Sequence, residues 1–200
     1  MDVPQGELSP NDLDKIAHQI GRKPRGVVAV VKRCKAHHPQ VIATYPLRWG
    51  SGMPQIFPTL YWLTCPALVR TVGDFETDGW VGRFQQQMLS NDNLRQDWEA
   101  AHADYAKARM ALVPEKVLVE LRERFPGQSE VLETAGVGGI RGEGIKCLHT
   151  NLAHTLTGAH NPIGELVLGL LAAQGKIPDY CYDDALECFC SLGHSAEGGS

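Results

Sequence analysis

Long hydrophobic runs are what this sequence most plainly lacks. Its longest apolar stretches, such as GVVAVV and LVLGLLAA, fall far short of the roughly 20 residues that cross a bilayer. The opening MDVPQGELSP has neither a basic n-region nor an apolar h-region, so no leader is expected and the cytoplasm is the expected compartment. In that compartment the six cysteines are read as thiols or metal ligands, not as a disulfide framework. An excess of one charge is lacking too. A formal charge of −4 over 200 residues gives no general reason to expect nucleic acid or an anionic membrane as partner. The short basic runs GRKPRG (21–26) and VKRCK (31–35) read as solvated faces, because counterion-release binding enlists more contacts than these offer. There is no internal repeat and no low-complexity segment. Nor is there a nucleophile elbow, an HExxH, a GK[ST] phosphate loop or an aromatic RNA-binding motif. No reaction is signposted.

What is present suffices for one globular domain, since 43% of residues are hydrophobic and a chain of this length buries a substantial core. Ser9 followed by Pro10 and acidic residues starts a helix, and Gly21 stops it. GVVAVVKR (26–33) and QVIATY (40–45) read as strands by their β-branched content, and IFPTLYWLT (56–64) as a third. Pro, Gly and Ser between 46 and 55 read as a loop. From 66 to about 125 the pattern is helical, with the clearest helix over NDNLRQDWEAAHADYAKARMAL and a shorter one at 114–125 before Pro126 and Gly127. SEVLETA adds a further turn or two, and segments 145–158 and 161–175 form a last helix pair. The expected fold is α+β: a small, mainly antiparallel N-terminal sheet of about three strands with helices packed on it. A single domain is expected over 9–175, with residues 1–8 and 178–200 as flexible tails.

Chemistry-bearing residues concentrate in GIKCLHTNLAHTL (144–156). In a regular helix Cys147 and His154 share a stripe but stand about 10 Å apart along the axis, too far for one ion. Cys147 and His149 diverge in a helix but converge in an extended or first-turn backbone, which the preceding Gly142 and Gly144 allow. With Cys34 and Cys65 at the exits of their strands, a set of three thiolates and one imidazole follows, the closed kind typical of structural zinc. Cys65 stands before Pro66, at an expected helix start that favours the thiolate. His37 and His38 remain alternative ligands. The competing reading is of buried thiols and surface histidines. Cys181, Cys188 and Cys190 are a weaker group.

Two other features could serve a ligand or be structural. AGVGGIRGEGIK (135–146) could cradle an anion through Gly138 and Gly139, with Arg141 and Lys146 supplying charge, or merely connect two helices. Trp98, His102, Tyr105 and Arg109 fall on one helical stripe with Leu94 and Leu112. A buried histidine and arginine there need partners, either in a core network or lining a pocket beside the Gly-rich loop.

The blocks IGRKPRGVVAVVKRC (20–34), FPTLYWLTCP (57–66), AHADYAKAR (101–109) and GVGGIRGEGIKCLHTNLAHTLTGAHNPIG (136–164) resemble a bacterial family, the domain of unknown function numbered five hundred and one. The family pattern maps onto Cys34, Cys65, Cys147, His149 and His154. The chain departs from it in KAHHP, which replaces a glycine-containing turn after Cys34. The resemblance strengthens the expectation of a metal site, with zinc the natural ion and an iron–sulfur cluster the lesser option. It implies no reaction. Two functions are therefore expected as rivals. One is a non-catalytic or accessory protein stapled by structural zinc. The other is a metal-dependent hydrolase of a phosphorylated small molecule, with His154 or His102 moving protons.

Overall fold

A computed structural model describes residues 8–176 and 178. Helix α1 (Pro10–Ile20) starts at Ser9, whose hydroxyl accepts from the Asp12 amide while the Asp12 carboxylate accepts from the Ser9 amide. This reciprocal cap satisfies two otherwise orphaned donors. Gly21, left-handed at φ 67°, ends the helix. Strands β1 (Val27–Arg33), β2 (Pro39–Thr44) and β5 (Tyr61–Leu63) form an antiparallel sheet in the order β1-β2-β5. The expected small N-terminal sheet with helices packed on it is therefore found.

One stretch differs from expectation. Residues 46–55 are not a loop but hold most of a separate hairpin, β3 (Leu47–Gly50) with β4 (Met53–Ile56). Its two-residue turn has positive φ at both Ser51 (51°) and Gly52 (78°), the combination that matches the twist of paired strands. The expected third strand at 56–64 is correspondingly divided. Ile56 belongs to β4, and β5 begins only at Tyr61, past Pro58, which has no N–H to give a ladder.

The helices follow as α2 (Pro66–Thr77), α3 (Trp80–Leu89), α4 (Asp92–Met110), α5 (Glu115–Arg124), α6 (Pro126–Thr134), α7 (Leu148–Leu156) and α8 (Pro162–Ala173), with a 3-10 turn at Val137–Gly139. The expected C-terminal pair is α7 and α8. Asn161 caps α8 by accepting from the Gly164 amide at 2.9 Å, and Pro162 fills its first turn. Among the described residues no helix is long and apolar enough to cross a membrane.

The two faces of the sheet have different covers. Ala29, Val41, Ala43, Tyr61 and Leu63 enter the main core with Leu68, Phe84, Trp98, Leu152 and Val167 of the helices. On the opposite face Ile16 of α1 packs against Val30 and Ile42. The β3–β4 hairpin brings Leu47 onto Leu118, Leu121 and Leu132, a satellite core with α5 and α6. Cys181, Cys188 and Cys190 lie outside the described residues.

Candidate functional site

The strand directions bring Cys34 and Cys65 to one rim. β1 and β5 both run antiparallel to β2, so they are parallel to each other and end on the same side of the sheet. Cys34 opens the turn back to β2, with its amide donating to the His38 carbonyl at 3.0 Å. His37 there takes a left-handed φ of 61°, the conformation a glycine turn would supply without strain. Cys65 is the residue preceding α2, as expected, and is buried.

The other two expected ligands are committed elsewhere. Helix α7 begins at Leu148, so Cys147 is its extended N-cap residue and His149 lies already in the first turn. His149 Nδ1 is 3.0 Å from Glu76 Oε1 and Nε2 is 3.0 Å from the Val69 carbonyl oxygen. Both ring nitrogens thus face oxygens of α2. Glu76 Oε1 also accepts from the Leu148 amide at 2.6 Å, placing a carboxylate at the positive end of α7. The Cys147 thiol donates to Thr150 Oγ1 at 3.4 Å. Among the described residues no three His, Cys, Asp or Glu side chains gather where they could hold a metal ion. The expected convergence of Cys34, Cys65, Cys147 and His149 is not met. The helix starts between Cys147 and His149 and turns the imidazole onto α2. The described residues fit neither the four-ligand zinc centre nor an iron–sulfur cluster.

The Gly-rich segment is also built differently from an anion cradle. Arg141 pairs with Glu130 at 2.7 Å. Lys146 Nζ donates to the Gly138 carbonyl at 3.3 Å, across the loop it was expected to arm. The glycines permit close packing instead. A Cβ on Gly136 would stand 2.0 Å from His102 Nδ1, and one on Gly139 2.7 Å from Pro58 Cγ, both inside contact distance. Of the set Gly138, Gly139, Arg141 and Lys146, both cations are thus engaged with protein oxygens in this structure.

Polar side chains of α3 and α4 fasten this segment and the strand region beside it. Arg109, fully buried, donates from Nε to the Leu132 carbonyl at 2.8 Å, from Nη1 to Pro58 at 3.0 Å and from Nη2 to Ala135. Burial lowers its pKa to about 10, opposed by Tyr105. Three carbonyls thus stand in for the carboxylate that a buried guanidinium usually takes. Tyr105 Oη accepts from the Leu60 amide at 2.7 Å and from Tyr61 at 3.1 Å. Gln85 Oε1 accepts from the Ile145 amide at 2.8 Å.

His154 is 2% exposed. Its ring stacks on Tyr61 at 5.8 Å and meets Tyr105 edge-on at 5.0 Å. Nδ1 lies 3.2 Å from Asn161 Nδ2, a donor, so Nδ1 accepts and the neutral ring carries its proton on Nε2. Burial pushes His154 down to about 4, with Asp104 opposing and His102 adding to the shift. It is a core residue packed between the α7–α8 pair and the sheet.

His102 stands at an opening. Its Nδ1 accepts from the Val137 amide at 2.8 Å, which places the proton of the neutral ring on Nε2. That atom is buried without a hydrogen-bond partner, as is Nε1 of Trp98, whose ring centroid lies 4.1 Å away. Burial lowers the His102 pKa to about 4. His102 lines a cleft of about 560 Å³ between α4 and the α5–α6 pair. Ala103, Ala106 and Met110 give it an apolar wall, Lys107 and Arg122 two cations, and Glu133 and Thr134 the far side. Arg109 is not among its lining residues and lies in the buried network, the other of the two readings of that stripe. Lys107, Arg122, Glu76 and Gln85 carry no sequence motif. They are polar residues on amphipathic helices, and only the fold reveals what they face.

Fold and site together define an α+β protein in which a buried polar scaffold ties a Gly-rich segment to a helical layer. The sequence model of the family described as "Protein of unknown function (DUF501)" matches residues 30–169, and the chain belongs to that family. No curated protein and no solved structure matches it.

Proposed function

We propose that this is a non-catalytic, accessory protein that binds a small anionic molecule in the cleft between α4 and the α5–α6 pair. The observation that carries the reading is the cleft itself. It joins an apolar wall, the cations of Lys107 and Arg122, and a neutral histidine whose tautomer is set by a backbone amide. Its volume of about 560 Å³ lies in the range of small-molecule sites. Convergent polar groups with one strongly perturbed histidine are the usual marks of a binding site. The two cations differ in commitment. Arg122 is held by Glu133 at 2.8 Å and Glu115 at 3.4 Å, whereas Lys107 has no ion-pair partner among the described residues. Lys107 is the anchor for an incoming phosphate or carboxylate, and Arg122 flanks it. The non-catalytic part rests on the scaffold: His149, His154 and Arg109 each direct their polar atoms at protein partners.

Calorimetric titration with inorganic phosphate and with a pentose phosphate tests this. Saturable binding of the sugar phosphate is expected, weakened about tenfold by Lys107→Met, the loss of one charge-assisted contact. Lys107 is exposed, so the variant folds as the parent does. Absence of saturable heat with both compounds, or equal affinity in the variant, would overturn the reading.

A further inference from the structure

Charge is distributed unevenly along the chain. Residues 15–73 hold nine of the 19 lysines and arginines and none of the 23 aspartates and glutamates. The basic runs at 21–26 and 31–35 are each too short to bind a polyanion alone, but the fold adds to them. Arg22, Lys23 and Arg25 are exposed on the connection from α1 to β1. The carbonyl of Gly26, the next residue, accepts from the Tyr45 amide at 2.7 Å, which sets these cations beside the end of β2. The same end of β2 anchors two rings. The Phe57 amide donates to the Pro46 carbonyl at 2.8 Å, and Trp62 Nε1 donates to Thr44 Oγ1 at 3.1 Å. Phe57 and Trp62 are 42% and 44% exposed. A fourth cation, Arg48, lies 5.3 Å from the centre of the Phe57 ring.

Both rings face away from the helical layer that fills the main and satellite cores. Ile42, the ladder partner of Trp62, belongs to the face that α1 covers. On the hairpin, Leu47 and Ile56 turn into the satellite core, and strand alternation leaves their neighbours Arg48 and Phe57 on the other side. The anchors Thr44 and Pro46 are two residues apart, about 7 Å, or two steps of the ~3.4 Å rise between stacked bases.

We propose that this surface binds single-stranded nucleic acid, with bases stacking on Phe57 and Trp62 and phosphates lying against Arg22, Lys23, Arg25 and Arg48. Aromatic faces interleaved with cations suit an unstacked strand, in which every base offers a π-face and every phosphate a charge. A duplex keeps its base faces in its own stack and engages the cations alone. An anionic membrane would also take the cations, but it asks for a contiguous apolar face. Here each ring has a polar neighbour, Arg48 on Phe57 and Thr44 on Trp62. The surface shares no residue with the cleft that His102 and Lys107 line, so the proposal stands apart from the ligand read there.

Fluorescence anisotropy of the full-length protein with labelled oligothymidylate and oligouridylate of about 12 nucleotides is the test, with a duplex of the same length and phosphatidylglycerol vesicles as competing arms. Saturable binding of a single strand is expected, and the tighter of the two names DNA or RNA as the source. Phe57→Ala/Trp62→Ala should weaken it about tenfold or more while the protein still melts cooperatively, since both rings are exposed. Arg25→Gln should weaken it less and lower its salt dependence by about one phosphate contact. No saturable binding of either strand would overturn the proposal. So would duplex binding as tight as that of the single strands, an affinity untouched by loss of the rings, or vesicle binding that the ring variant abolishes, since the last makes the surface a membrane site.

Discussion

Acidification from pH 7 to pH 5 should destabilise this protein through His154, and the size of the loss follows from its surroundings. The ring is held neutral by burial between Tyr61 and Tyr105, with its pKa lowered from 6.5 to about 4. In the unfolded chain it titrates near the ordinary value, so between these limits the unfolded state binds the extra proton. Stability is then complete above about pH 6.5 and falls as the pH drops toward 4. From pH 7 to 5 the loss amounts to about 2 kcal/mol for this one group. His102, also lowered to about 4 by burial, acts in the same direction. His160, raised by its contact with Glu165, acts in the opposite sense but is exposed and screened. Asp12 is held well below the usual carboxylate range by Arg33, so its contribution is lost only beneath the ordinary value of 3.8, outside this window. His154→Phe keeps an aromatic ring against both tyrosines and removes the titration. Urea unfolding at the two pH values should show the wild type losing about 2 kcal/mol more than the variant. Parallel losses, within about 0.5 kcal/mol, would refute the assignment of His154 as a buried neutral ring.

Two substitutions probe the scaffold. Gly164→Ala places a Cβ 2.0 Å from Thr155 Oγ1 and 2.4 Å from the Asn151 carbonyl oxygen, so α7 and α8 must separate at a cost of about 3 kcal/mol. A lower melting temperature that Thr155→Ala does not restore is expected, because the Asn151 obstacle is backbone; an unchanged melt would show that the helices give way freely. Arg109→Lys keeps the charge but cannot reach the carbonyls of Leu132, Pro58 and Ala135 together. It should cost about 3 kcal/mol or more in denaturant unfolding, and a neutral result would mean that the fork geometry is not what holds the segment.

Where the sequence could be read, local chemistry was sufficient. Ser9 with Asp12, Gly21, Cys65 before Pro66, and Asn161 before Pro162 each mark a helix end through atoms within a few residues. The β3–β4 hairpin escaped because its turn depends on Ser51 adopting a positive φ, which serine does not advertise. The candidate site was less legible for a different reason. Burial of Trp98, Tyr105 and Arg109 follows from their shared stripe, but the partners of Arg109 are backbone carbonyls 23 to 51 residues away. Backbone acceptors leave no trace in residue type. The metal set failed on direction: Cys147 and His149 are two apart as required, yet a helix beginning at Leu148 hands the imidazole to Glu76 and Val69. The Gly-rich run is the sharpest case. Glycine is demanded equally where an anion approaches the backbone and where a protein side chain does. In this fold the approaching groups are His102 on Gly136 and Pro58 on Gly139. The same pattern that suggested a ligand in the loop is satisfied by the protein's own side chains.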